Sequence, residues 1–242
     1  MLIIPDVHGR DFWRKPVKKA IGKEHVLFLG DYMDPYEYEG ITPSDALSRF
    51  KDIVALKKNH PDSITLLLGN HDIHYLTNSR RCRGGRYDYI RAEEIEDVFL
   101  ENADLFQMTC STESSERRYL FSHAGILAGW IEQYKNYLNG ATPDTIGDVL
   151  NNMWTDKSQW STLFAVLSDV PYSRGGLAAF GSPIWSDVDD MRTDAPELPG
   201  YYQIFGHTQQ ENQPVVTEYF ACLDVRRVFR LKEGALKCCR FF

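Results

Sequence analysis

The chain has 242 residues, a formal net charge of −7, and apolar and charged fractions ordinary for a globular protein. That length suits one large α/β domain over 1–242, and the acidic balance argues against a partner bound by neutralising a long phosphate backbone, so no long nucleic acid is expected. No stretch reaches the ~18–20 apolar residues of a membrane helix, and Asp6 and His8 interrupt the start where a signal peptide would carry its apolar core. The sequence is therefore read as cytoplasmic, without a membrane partner. A small phosphorylated substrate stays open, because bound cations can reverse the local field.

In chain order, "MLIIP" and "EHVLFLG" predict short buried strands. "TPSDALSRFKDIVALKKNH" predicts a helix capped by Thr42, with Pro43 at its first position and Asp45 in its first turn. Leu47, Phe50, Ile53 and Val54 give it one apolar stripe. "SITLLLG" predicts a third strand, and that βαβ order implies a largely parallel sheet. "AEEIEDVFLENADLF" predicts another helix and "RRYLFSHAG" a strand. A helical insertion comes next, around 127–180, with Thr142–Pro143 repeating the cap signal. "YFACLDV" and "VFRLKEGALKCCRFF" predict a closing meander that turns at Glu233–Gly234. Five cysteines lack metal-knuckle spacing and read as reduced thiols.

A recurrence carries the chemistry. "LIIPDVH" ends on Asp6 and His8, and "VLFLGDYMD" on Asp31 and Asp34. "ITLLLGNHD" ends on Asn70, His71 and Asp72, "YLFSHAG" on His123, and "YQIFGHT" on His207. Ligands of open α/β sheets bind outside the carboxyl ends of the strands. If these strands lie side by side, carboxylates, imidazoles and one amide meet in one cavity. Such a cluster needs cations, because unpaired carboxylates resist ionisation away from water. Donors of this kind without thiolate suit Mn, Fe or Zn, and their number is enough for two ions. His25, His60 and His74 lack that setting and read as ordinary structural histidines.

The motifs "DVHG", "GDYMD", "GNHD", "SHAG" and "GHT" together resemble those of the calcineurin-like metallophosphoesterases, and "IWSDV" at 184–188 resembles a segment of their phosphoprotein (Ser/Thr) phosphatase branch. The resemblance implies a two-sheet α/β sandwich flanked by helices. It implies two divalent metal ions, with Asp6 and His8 on the first, Asp31 bridging, and Asn70, His123 and His207 completing the second. It further implies a hydroxide bridging the ions as nucleophile and His71 as general acid, with Asp34 orienting His71 and favouring its charged form. The expected activity is hydrolysis of a phosphomonoester, in a small molecule or a phosphoprotein. The alternatives are a dinucleoside polyphosphate pyrophosphohydrolase and a metal-stabilised scaffold without catalysis.

Two positions depart from the family pattern. Gln209 stands just past "GHT" where many members add a second histidine, which favours the phosphatase branch. Pro35 stands where that branch carries an arginine that grips phosphate. Candidate replacements are Arg192 and the run Arg80, Arg81, Arg83 and Arg86. "PYEYEG" would put Tyr36 and Tyr38 at the rim, where either ring could stack on a base or phenyl group, with glutamates that discourage highly anionic substrates.

Overall fold

The computed structural model describes residues 1–77, 85–115, 117–193 and 198–239, which form two sheets and eight α-helices. They fall into two compact units, Met1–Phe106 with Arg226–Phe242, and Gln107–Val225.

In the first unit, β1 (Leu2–Ile4), β2 (Val26–Phe28) and β3 (Ile64–Leu67) run parallel, with Leu2 level with Val26 and Val26 with Ile64. Their side chains are buried apart from the half-buried Thr65, which accounts for the continuous apolar runs in the sequence. The sheet is six-stranded and includes β4 (Phe106–Gln107) beyond β3. Helix α1 (Arg14–Ala20) links β1 to β2, and α2 (Pro43–Asn59) links β2 to β3. Thr42 caps α2 by accepting the Asp45 amide at 3.1 Å, as its sequence predicts. The expected stripe of Leu47, Phe50, Ile53 and Val54 is buried, and Phe50 meets Phe99 of α4 (Ala92–Glu101) at a ring separation of 4.6 Å. Helix α3 (Asn70–Leu76) begins at the end of β3.

The second unit holds a five-stranded sheet in the order β5 (Cys110–Glu113), β6 (Arg118–Phe121), β7 (Tyr201–Phe205), β9 (Phe220–Cys222) and β8 (Val215–Val216). Strands β6 and β7 are parallel neighbours. The long connection between them carries the expected helices, α5 (Ala128–Tyr134), α6 (Ile146–Thr155) and α7 (Trp160–Leu167), with α8 (Val188–Thr193) later. The helical part ends earlier than 180: beyond Leu167 there is one 3-10 turn at Tyr172–Arg174. Thr142–Pro143 does not cap α6. It opens a turn in which Thr145 accepts the Thr142 amide, and the helix starts three residues later.

The closing strands differ from the predicted meander. Strand β9 lies parallel to β7 in the second unit, whereas β10 (Phe229–Lys232) and β11 (Ala235–Cys238) return to the first sheet, β10 antiparallel to β1. The hairpin turn does fall at Glu233–Gly234, both with positive φ (49° and 76°) as a tight two-residue turn requires. Among the described residues, Cys110, Cys222, Cys238 and Cys239 form no disulfide.

Candidate metal and phosphoester site

The five motif-bearing strands do not share one sheet. The ends of β1, β2 and β3 are neighbours in the first unit, and those of β6 and β7 in the second.

At the first set, Asp6, His8 and Asp31 are buried and bring ligand atoms within 4.8 Å of one another. His8 Nδ1 donates to the Met33 carbonyl at 2.9 Å, which turns Nε2 toward Asp31 Oδ2 at 3.5 Å. Burial, helped by His71 and nearby arginines, holds the His8 pKa well below its usual value, so the ring is neutral, the form that ligates metal. An imidazole lone pair thus faces a carboxylate oxygen, an arrangement that a cation reconciles. With no thiolate in the set, these residues fit a hard or borderline divalent ion. Asn70 is buried at the first position of α3, and the next amide, His71 N–H, donates to Asp31 Oδ1 at 2.9 Å.

Backbone conformation records the cost of this convergence. His8, Asp31 and Asp34 all have positive φ (43°, 52° and 60°), and in the second unit so does His207 (63°). Non-glycine residues adopt this region rarely, and sites over-determined by their surroundings are where it persists. Gly30, at φ 106°, admits no Cβ: one would sit 2.6 Å from the Gly69 nitrogen, so the loops after β2 and β3 touch backbone to backbone. Asp72 ties those loops together by accepting the amides of Asp31 (2.8 Å), Tyr32 (2.9 Å) and Gly69 (2.8 Å).

Beside the ligand cluster, His71 Nδ1 lies 2.6 Å from Asp34 Oδ2, the expected pairing. Asp34 favours the charged ring, as expected, but it is not the largest influence. Burial outweighs it, and the His71 pKa is pushed down to about 4. Burial raises Asp34 in turn, yet hydrogen bonds from His71 and His74 prevail and hold it at about 2. His74, ordinary by its sequence setting, is fully buried with Nε2 2.8 Å from the same carboxylate oxygen, and the Tyr75 hydroxyl donates to the other oxygen. Spacings of three and four from His71 along α3 were the available signal, because those residues share a helix face.

Tyr36 packs edge-on against His8 at a ring separation of 5.2 Å, and Arg86 covers its face with the guanidinium carbon 3.7 Å from the ring centre. Tyr38 is exposed, with its hydroxyl taken by Arg226. Glu39 pairs with Arg10 at 2.9 Å and Arg226 at 3.4 Å, so its charge is neutralised and does not repel anions as the sequence suggests. Arg80, Arg81 and Arg83 lie outside the described residues.

In the second unit, the Gly206 amide donates to the His123 carbonyl at 2.8 Å, and His123 Nε2 comes 3.1 Å from His207 Nδ1. Trp185 of "IWSDV" meets the His207 ring edge-on at 5.8 Å. Arg174, which no sequence motif marks, braces this loop: it bonds the His207 carbonyl (3.2 Å) and Thr208 Oγ1 (3.1 Å) while pairing with Asp187 at 3.0 Å. Arg192 instead points to Asp189 on its own helix at 2.9 Å, and both side chains are largely exposed.

Residues 1–211 match the calcineurin-like phosphoesterase family. The chain belongs to that family. It is accordingly a metal-dependent phosphoric ester hydrolase, and Asp6, His8 and Asp31 form a buried group that could hold a metal ion. Among solved structures, a cold-active protein tyrosine phosphatase aligns at TM-score 0.56 and 15% identity, covering 98% of this chain and 77% of its own. A protein serine/threonine phosphatase from Saccharomyces cerevisiae, described as similar to human phosphatase PP5, aligns at TM-score 0.51 and 13% identity, covering 100% of this chain and 79% of its own. At these identities the likeness is one of fold. No helix among the described residues is long and apolar enough to cross a membrane.

Proposed function

We propose that the chain hydrolyses phosphomonoesters in the manner of the Ser/Thr phosphatases, with Asp6, His8, Asp31, Asn70, His123 and His207 holding two divalent ions drawn from Mn, Fe and Zn. The family match runs through both units, which supports reading 1–242 as one catalytic domain. The ions, when bound, activate water and offset charge at phosphorus. The rest falls to the protein. Asp34 is a positioning residue: it accepts the hydrogen bond from His71 Nδ1 and so leaves Nε2 for the substrate. His71 delivers a proton from Nε2 to the leaving oxygen. Near neutral pH burial keeps its ring neutral, so a bound phosphoryl dianion, by adding negative charge nearby, supplies the pull that protonates it.

The observation that carries this reading is the Asp34–His71 pair, 2.6 Å apart and hydrogen-bonded through the His71 amide to Asp31. Metal binding alone has no use for it, which counts against a scaffold. The pyrophosphohydrolase alternative needs an open aromatic face for a base, and Arg86 covers one face of Tyr36. The test uses manganese-loaded His71→Asn. Hydrolysis of alkyl phosphates such as phosphoserine should fall ~10²-fold or more. Hydrolysis of p-nitrophenyl phosphate, whose leaving group needs little protonation, should fall less. An equal loss on both substrates sinks the acid role. Undiminished turnover of both removes His71 from the reaction altogether.

A further inference from the structure

We propose that Arg86 grips a non-bridging oxygen of the substrate phosphoryl group, in place of the arginine that Pro35 displaces. The inference rests on the phosphomonoesterase reading above. Pro35 has neither a cation nor an N–H, so position 35 offers phosphate nothing. Arg86 reaches the same spot from another part of the chain. Its Nε donates at 2.9 Å to the main-chain oxygen of Asp34, the peptide oxygen immediately before Pro35. The guanidinium lies over the Tyr36 ring at 3.7 Å, which restricts its plane. From there Nη2 stands 3.4 Å from His71 Nε2 and 3.4 Å from both nitrogens of His8. A cation is thereby held at the corner between the proposed acid and the ligand cluster of Asp6, His8 and Asp31.

Charge pairing separates Arg86 from its neighbours. Arg10 and Arg226 also approach the Tyr36 ring, at 5.2 and 5.9 Å, but both are committed to Glu39. Arg86 has no carboxylate partner among the described residues, and no hydrogen bond engages its Nη1 there. Its anchored Nε leaves a fork of Nη donors, and a tetrahedral oxyanion is the ligand that fork fits. The role of Tyr36 changes accordingly: the ring is the platform for a phosphate-binding cation.

The test uses the full chain loaded with manganese, with inorganic phosphate as probe and metal content measured on every variant. Arg86→Ala should weaken phosphate binding by tenfold or more by calorimetry and raise KM for p-nitrophenyl phosphate in step, with metal content unchanged. Arg86→Met, which keeps an apolar chain over Tyr36 without the charge, should weaken it as much, and Arg86→Lys by less. Wild-type affinity in either Arg86→Ala or Arg86→Met overturns the proposal. Loss of metal in all three variants also overturns it, by assigning Arg86 to the metal site. A wild-type protein that turns over no phosphoester, yet binds phosphate in an Arg86-dependent way, upholds this inference while sinking the functional reading.

Discussion

The two units present their strand ends differently. The first crowds carboxylates and imidazoles onto three adjacent ends, bends the backbone into positive φ at His8, Asp31 and Asp34, and surrounds the cluster with arginines. The second offers two imidazoles on two ends, with bulk and bracing behind them from Trp185, Asp187 and Arg174. Carboxylates and titratable pairs are thus concentrated in the first unit, and the second holds its two imidazoles on a hydrogen-bonded loop. On the proposed function, the two units should respond unequally to perturbation. Damage to the first unit should strike the reaction and its pH dependence, and damage behind the second should act through metal retention.

The largest effect should come from Asp31→Asn, which removes the negative charge of the residue proposed to serve both ions. Activity on p-nitrophenyl phosphate should fall by ~10³-fold or more, the scale of several kcal/mol of lost charge stabilisation. A tenfold loss or less would deny the first unit its central role.

Next comes pH. In the metal-free protein the His71 pKa sits at about 4, below the ordinary 6.5. Between those values the unfolded chain binds the proton and the folded one does not, so this contribution is full above 6.5 and is lost as pH falls through 4. The loss is on the order of 3 kcal/mol. Thermal melts of the metal-free chain should drop markedly from about pH 7 to about pH 5, and His71→Asn should flatten that drop. Identical curves for wild type and variant would move the pH sensitivity elsewhere.

A smaller effect is expected behind the second unit. Arg174→Ala removes the bonds to the His207 carbonyl and to Thr208, and should weaken metal binding roughly tenfold, with activity restored at high metal concentration. Loss that excess metal does not recover would give Arg174 a different task. Smallest of all, Arg192→Ala deletes an exposed pair with Asp189 and should leave kcat and KM within about twofold. A large KM increase would restore Arg192 as a phosphate contact.

Much of this was legible in the sequence because strand ends advertise themselves. A buried parallel strand is an uninterrupted apolar run, and the residues just past its end lie at the functional edge of the sheet; Asp6, Asp31 and Asn70 are read that way. Thr42 and the Glu233–Gly234 turn are equally local signals. The features the sequence hid were non-local or competitive. His74 and Arg174 act through partners, Asp34 and the His207 loop, that no spacing rule links to them unless the helix face and the loop are already known. Arg86 lay within a basic run whose composition did not single out one member, and it is set apart by its bond to the Asp34 carbonyl. The direction of the His71 shift depended on burial against a single carboxylate, a balance of magnitudes and not of residue types. The split of β9 from β10 came from pairing choices that alternation cannot encode.

Asp72 accepts three amides from two loops. The consequence is cooperative protection from exchange. Any opening that exposes one of the amides of Asp31, Tyr32 and Gly69 releases the carboxylate that holds the other two, so the three exchange together and the loops around Asp31 are kept or lost as a unit.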